Sequence, residues 1–213
     1  APFAAVLASL ALCAGLIAMA GVNPLEAYAE MLRGAFGSRL SITETLARAT
    51  PLILTGLAAT VAFRARLWNI GGEGQFYVGA LAAAWLGSEA LAGLPPALGI
   101  VGVMIAGMIA GALLLLVPAF LRVRFGVDEV VTTLLANFIV MLFVGIMVEG
   151  PLKDPLAFGW PQSVPVANEL MLPKLIERTR LHVGLLIALA VAGLVWLMLA
   201  RTVFGARARA AGL

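Results

Sequence analysis

Long apolar runs separated by short polar segments dominate the chain. Six of these runs approach the roughly 20 residues that an α-helix needs to cross a hydrocarbon core about 30 Å thick. They are apolar on every side instead of alternating between apolar and polar faces, which is typical of helices in contact with lipid. We therefore predict six membrane spans, at about residues 2–22, 46–63, 75–91, 97–121, 128–148 and 181–200.

Composition supports an all-α, polytopic transmembrane helical bundle. Hydrophobic residues make up 62% of the 213 residues and charged residues 12%, and the mean hydropathy is +1.06. Soluble domains carry about 25% charged residues, so a soluble globular domain is excluded. We treat residues 1–213 as one transmembrane domain. Because the chain begins without Met and stops in a polar segment, we expect a fragment truncated at both ends.

Arginine density indicates the orientation. If the six spans alternate in direction, their connections form two groups on opposite sides of the membrane. The first group is 64–73, 122–129 and 201–213, and the second is 23–45, 93–96 and 149–180. The first group is short and Arg-dense, which the positive-inside rule assigns to the cytoplasm. The proline-rich 149–180 connection is then an extracytoplasmic insertion, expected to form a structured hairpin or lid. The formal charge of +3 reflects this orientation and not nucleic-acid binding.

Prolines and glycines add detail to three spans. Asn23-Pro24 marks the exit of the first span, since proline disfavours a helical residue before it. Pro51 is expected to kink the second span or to mark its first turn, and Pro118 to kink the end of the fourth. Gly107 and Gly111 have the spacing of small residues that permits close helix contact.

The stretch 64–75, Arg-Ala-Arg-Leu-Trp-Asn-Ile-Gly-Gly-Glu-Gly-Gln, interrupts the apolar pattern most strongly. In one interpretation, Asn69 is the N-cap of the third span and Glu73 lies in its first turn, where negative charge is stabilised. In the other, residues 69–75 form a broken or re-entrant helix that lines a pathway. Capping alone does not require glycine at 71, 72 and 74 together, and both interpretations stay open.

Asn137 lies in the middle of the fifth span, about a turn beyond Thr132 and Thr133. Polar groups at this depth usually face other helices or a cavity. Interhelical hydrogen bonding and contact with a substrate pathway both account for it.

Several chemistries are excluded by the sequence. There is no phosphate-binding loop with Lys and Ser/Thr, so we do not expect this chain to hydrolyse ATP. His182 is the only histidine and Cys13 the only cysteine, so neither a two-histidine metal site nor a thiolate cluster can form within the chain. We expect no catalytic residues, no metal and no cofactor.

Five segments of the chain carry a resemblance to a known family. They are Pro51-Leu-Ile-Leu-Thr-Gly56, Ala62-Phe-Arg64, Trp68-Asn-Ile-Gly-Gly-Glu-Gly-Gln75, Gly126-Val-Asp-Glu-Val-Val-Thr-Thr-Leu-Leu-Ala-Asn137 and Arg201-Thr-Val-Phe-Gly-Ala-Arg-Ala-Arg-Ala-Ala-Gly212. Together they resemble the permease subunits of bacterial ATP-binding-cassette (ABC) importers for nucleosides and simple sugars, within the branched-chain amino acid and ribose permease family. The resemblance covers most of the chain from about residue 46.

The resemblance implies a multi-pass protein of the bacterial cytoplasmic (inner) membrane, in contact with lipid and not with nucleic acid. It implies pairing with a second, related permease, ligand delivery by an extracytoplasmic binding protein, and a separate cytoplasmic ATPase. The insertion at 149–180 favours nucleosides over sugars. Pathway or gate candidates are Asn69, Glu73, Gln75, Thr133 and Asn137, and candidates for ATPase contact are Arg207, Arg209 and Gly212 at the start of a coupling segment over 201–213.

Two other classes remain. One is a secondary transporter driven by an ion gradient, with a broken helix around Glu73 as its ion site. Against it, the sequence places Glu73 beside the arginine-containing loop and away from the membrane midplane. The other is a membrane scaffold without transport activity.

Overall fold

The computed structural model describes residues 2–91 and 93–211. Within these residues the secondary structure is helical, apart from two isolated β-bridges. In chain order the α-helices are α1 Pro2–Met19, α2 Pro24–Phe36, α3 Arg39–Arg64, α4 Gly72–Trp85, α5 Pro96–Phe125, α6 Glu129–Glu149, α7 Gly184–Arg201 and α8 Val203–Ala211. A π-helical turn, Leu86–Ala90, continues α4, and a short 3-10 helix covers Asn168–Leu170. The predicted all-α bundle is confirmed.

Local sequence signals set several helix ends. The Asn23 side chain accepts a hydrogen bond from the Leu25 N–H, with Pro24 at the first helical position of α2, so the predicted helix boundary at Asn23-Pro24 is confirmed. Gly126 ends α5 in the left-handed conformation (φ 68°), which glycine adopts without strain. The Asp128 carboxylate then caps α6 by accepting from the Val130 and Val131 N–H groups.

Fewer helices than predicted are long and apolar enough to span a membrane. Among the described residues, four pass this test, or five if α1 and α2, bent by 114°, count as one span. The predicted third span is short, because the 14 residues of α4 extend only about 21 Å. The second span is longer than predicted and begins at Arg39, so Pro51 lies inside α3 and does not mark its first turn.

Contacts divide the described chain into two compact units. The first contains the residues up to Thr50 and Lys174–Leu185, and the second contains Pro51–Pro173 and the residues from Leu186 onward. Helices α3 and α7 contribute residues to both units. A single domain over 1–213 therefore stays a prediction.

The second unit contains most of the predicted extracytoplasmic insertion, which is structured. The chain reverses direction here in a hairpin, in which the Val164 N–H donates to the Leu152 carbonyl (3.1 Å). The Asp154 carboxylate stabilises this hairpin by accepting from Leu156 N–H and the Gln162 side chain. Beyond it, the chain packs on the end of α4, where Ala167 N–H donates to the Gly87 carbonyl (3.0 Å).

Helices α4 and α5 pack closely through glycines. A Cβ at Gly79 would lie 3.0 Å from the Gly107 carbonyl oxygen, and one at Gly111 would lie 3.3 Å from the Gln75 carbonyl oxygen. The small-residue contact predicted for Gly107 and Gly111 is confirmed, with α4 as the partner helix. Close backbone approach of this kind gives van der Waals attraction that lipid tails do not replace.

This packing leads to a first prediction. Replacing Gly79 by alanine should lower the free energy of unfolding by about 1–3 kcal/mol, because the added methyl group meets backbone that must move. Gly145→Ala in α6 is the control, since nothing lies within 4 Å of a Cβ at that position. Thermal unfolding of both variants in detergent measures the difference, and equal stabilities would contradict the proposed helix contact.

Candidate functional site

The glycine-rich stretch is a break between α3 and α4. After α3 ends, the N–H groups of Ala65 and Arg66 bond back to the carbonyls of Ala62 and Phe63 (3.0 and 3.1 Å). The chain then leaves the helical path until α4 begins at Gly72. Gly71 is the N-cap residue of α4 and supplies no side chain, so the first N–H groups of this helix need partners from elsewhere.

Asn137 of α6 supplies one of these partners and holds both sides of the break. Its side-chain oxygen accepts from the Gly74 N–H at 2.8 Å, and its side-chain nitrogen donates to the Ile70 carbonyl at 2.9 Å. The residue is 6% exposed. One buried amide therefore caps α4 from a neighbouring helix and fixes the chain four residues earlier.

Thr133 makes a third bond to the same segment. Its hydroxyl oxygen accepts from the Ile70 N–H at 3.2 Å and donates to the Glu129 carbonyl of its own helix at 2.6 Å. Thr133 is 2% exposed. With Asn137, it satisfies both backbone groups of Ile70, which would otherwise be costly to bury.

The three glycines of the stretch have different roles. A Cβ at Gly74 would lie 2.8 Å from the Asn137 Oδ1 and 3.2 Å from the Asn137 Cα, and one at Gly71 would lie 3.0 Å from Asn69 Oδ1 and 3.2 Å from Thr133 Cβ. At Gly72 nothing lies within 4 Å. Close packing against α6 therefore requires glycine at 71 and 74 and does not require it at 72.

The break lies deep within the second unit. Asn137 is about 12 Å along α6 from its start at Glu129, at a rise of 1.5 Å per residue. Leu114, whose Cδ2 would be 3.4 Å from a Gly74 Cβ, is about 17 Å from the end of α5. The start of α4 therefore contacts α5 and α6 about two to three helical turns from the ends of those helices.

Glu73 lies in the first turn of α4. It lines a cavity of about 390 Å³ with residues of α3 (Pro51, Leu52 and Thr55) and with Phe76 of α4. Thr55 is about 14 Å from the end of α3. The predicted place of Glu73 in the first turn of α4 is confirmed, and its position beside the arginine-containing loop stays a prediction.

The carboxylate of Glu73 is exposed in this chain. Within the described residues, no hydrogen bond or ion pair holds it. A charged side chain near the centre of a bilayer normally faces protein or a water-filled cavity. An exposed carboxylate without a partner in the described residues suits contact with solute, water or another polypeptide better than contact with lipid.

Asn69 is not the N-cap of α4, which corrects the sequence-based assignment. It precedes the helix by three residues, and its side-chain oxygen accepts from the Gly71 N–H at 2.9 Å. The Gln75 side-chain nitrogen lies 3.5 Å from the same oxygen. Local capping rules fail here because Asn137, distant in sequence, provides the cap.

Below the break, the ends of α5 and α6 are joined by an ion pair. Arg122 Nη1 lies 3.0 Å from Glu129 Oε2, and the Glu129 side chain is 13% exposed. These two residues line a cavity of about 190 Å³ together with Asn69 and Thr133. The hydrogen bonds around Ile70, Gly71 and Gly74 bring four of the five pathway candidates into one polar cluster: Asn69, Gln75, Thr133 and Asn137. The fifth candidate, Glu73, lines the separate cavity beside α3.

The candidates for ATPase contact lie elsewhere. Arg207 is exposed on α8, the helix that follows α7 after Thr202. Arg209 belongs to the same helix, and Gly212 lies outside the described residues. Nothing in the described residues connects these positions with the polar cluster at the break.

The described residues form a bundle of apolar helices with a buried, polar connection between α3 and α4. Residues 41–213 match the family described as the branched-chain amino acid transport system / permease component. The chain belongs to this family of permease components. Its members are transport subunits and not enzymes, and the chain is a multi-pass protein of the cytoplasmic membrane.

Three curated relatives are similar along most of the chain. The glucose ABC transporter permease protein TsgB13 of Haloferax volcanii is 33% identical over 96% of this chain and 56% of its own length. The guanosine ABC transporter permease protein NupP of Bacillus subtilis is 32% identical over 99% of this chain and 60% of its own length. The nucleoside ABC transporter permease protein NupB of Lactococcus lactis is 32% identical over 91% of this chain and 55% of its own length.

The chain spans little more than half the length of these relatives. A comparison with solved structures found no significant match.

Proposed function

We propose that the chain is part of the permease subunit of an ABC importer and that it forms part of the translocation pathway for nucleosides or simple sugars. The observation that carries the proposal is the pair of Asn137 bonds to Gly74 and Ile70, because they hold an irregular, polar backbone segment between apolar helices. Irregular backbone within a membrane is tolerated where it lines a cavity or is buried in protein. Family membership supplies the class of transporter.

We favour nucleosides as the substrate. Sequence identity does not decide between nucleosides and sugars. It is 32% to the relatives named for guanosine and nucleosides and 33% to the relative named for glucose. A nucleoside and a sugar share hydroxyl groups on a sugar ring, and a nucleoside adds an aromatic base. The cavity beside Glu73 offers a carboxylate for hydroxyl or amino donors and the Phe76 ring for an aromatic base.

The partners follow from the same proposal. A second, related permease completes the pathway, an extracytoplasmic binding protein delivers the ligand, and a cytoplasmic ATPase provides the energy. Arg207, Arg209 and Gly212 are proposed to contact the ATPase. ATPase closure would then move α7 and α8 as a rigid body relative to the pathway.

Uptake by the full-length protein tests this function. The protein is expressed with its neighbouring ATPase and binding protein in cells that lack their own nucleoside uptake, and labelled guanosine and glucose are supplied separately. Guanosine uptake that requires the ATPase supports the proposal. Uptake that continues with an inactive ATPase would instead support a gradient-driven transporter with Glu73 as its ion site.

A second prediction concerns Glu73. Glu73→Gln should change the free energy of unfolding by less than about 1 kcal/mol, since the carboxylate stabilises α4 mainly through the helix dipole. If Glu73 faces the pathway, uptake should nevertheless fall several-fold with the complex intact. Glu26→Gln, an acidic residue in the first turn of α2, is the control, and uptake equal in the two variants would contradict a pathway role.

A further inference from the structure

The first unit contains a cavity of about 830 Å³ that is rich in positive charge. It lies between the start of α3 and the turn formed by residues 174–182. Four basic side chains line it, Arg48, Lys174, Arg178 and Arg180, against one acidic side chain, Glu44. We call it the basic cavity.

The single carboxylate cannot neutralise this charge. Glu44 Oε1 lies 3.2 Å from Arg48 Nε and 3.5 Å from Arg180 Nη1, so two guanidinium groups share one oxygen. Within the described residues, no carboxylate lies within ion-pair distance of Lys174 or Arg178. The basic cavity therefore has a net positive charge that an anion can satisfy.

The turn that presents these side chains is held in place. Thr179 is buried, and its hydroxyl donates to the Ile176 carbonyl at 2.8 Å and accepts from Leu181 N–H at 3.3 Å. Beside it, Arg178 has a φ of 62°. A non-glycine residue in the left-handed region has an unfavourable backbone energy and often lies at a functional site.

Apolar side chains lie next to the positive charge. The cavity lining includes Gly34 near the end of α2 and Leu40 at the start of α3. Phe36, between them, is 63% exposed and Leu40 is 61% exposed. Helix α2 also exposes Leu25, Met31 and Leu32 and carries Glu26, Glu30 and Arg33, which is typical of a helix lying at a membrane surface.

We propose that the basic cavity binds the phosphate headgroup of an anionic phospholipid, with its acyl chains against Phe36 and Leu40. Guanidinium and ammonium groups are strong donors to phosphate oxygens, and basic pockets between membrane helices bind anionic headgroups. An acidic protein surface would satisfy the charge but would not require the neighbouring exposed apolar side chains. The sequence also predicts this side to be extracytoplasmic, where clustered basic residues are uncommon.

Lipid binding by the full-length protein tests the proposal. The purified protein is titrated with phosphatidylglycerol or phosphatidylcholine in mixed micelles, and bound lipid is counted by native mass spectrometry. We expect a preference for phosphatidylglycerol that falls about 30-fold in a Lys174→Gln/Arg178→Asn double variant, since each basic residue near anionic lipid contributes about fivefold. Asparagine at 178 removes the charge and tolerates the left-handed backbone.

Arg33→Gln is the control, because Arg33 pairs with Glu30 on α2 and does not line the basic cavity. The control should keep the preference, and both variants should unfold at the temperature of the unmodified protein. Equal affinity for the two lipids, or full competition by inorganic phosphate, would overturn the proposal. It would also be overturned if the double variant kept its lipid preference but lost binding to the extracytoplasmic binding protein.

Discussion

Replacing Gly74 by alanine is expected to destabilise the protein by about 2–5 kcal/mol and to abolish uptake. The added Cβ would lie 2.8 Å from the Asn137 Oδ1 and 3.2 Å from the Asn137 Cα. Rotating the Asn137 side chain away would relieve the first contact but would break its bond to the Gly74 N–H. The contact with the Asn137 Cα would remain after that rotation, so the variant has an overpacked contact, costing about 1–3 kcal/mol, together with an unsatisfied buried N–H group of similar cost.

Gly72→Ala is the matched control, two residues away in the same helix turn. Nothing lies within 4 Å of a Cβ at Gly72, and alanine is favoured over glycine in a helix by up to about 1 kcal/mol. We expect unchanged or slightly raised stability and normal uptake. Thermal unfolding in detergent and guanosine uptake measure both variants. If Gly74→Ala behaved like Gly72→Ala, the close contact between α4 and α6 would be refuted.

The sequence predicts the helical class and much of the packing chemistry. Apolar runs locate the helices because lipid requires apolar side chains along the whole length of a span. Gly107 and Gly111 predict close packing because glycine is the residue that permits backbone contact at that spacing. The partner helix could not be predicted, since spacing within α5 carries no information about α4.

The capping of the break could not be predicted from local patterns. The start of α4 is capped by Asn137, 63 residues beyond Gly74, whereas capping rules consider only residues next to the helix. The length of α4 could not be predicted either, because its apolar pattern continues past Trp85. At that point Gly87 contacts Val166, and a π-helical turn replaces the α-helix. Both features depend on tertiary contacts between distant segments.

Asn137→Leu is expected to have an effect of similar size, about 2–5 kcal/mol in stability together with at least a tenfold loss of uptake. Leucine is close to asparagine in size but supplies neither the acceptor for Gly74 N–H nor the donor for the Ile70 carbonyl. Each buried backbone group left without a partner costs about 1–3 kcal/mol. The start of α4 should then lose its fixed position relative to α6, and the pathway should lose its shape.

Two threonine variants on the same helix calibrate this loss. Thr133→Val removes one bond to the break, from Ile70 N–H, and should cost about 1–3 kcal/mol. Thr132→Val removes bonds to the Asp128 and Glu129 carbonyls only and should leave uptake normal. Stability and uptake are compared at equal expression in the membrane. If Asn137→Leu transported guanosine normally, Asn137 would have no role in the pathway, and the break would be a packing feature alone.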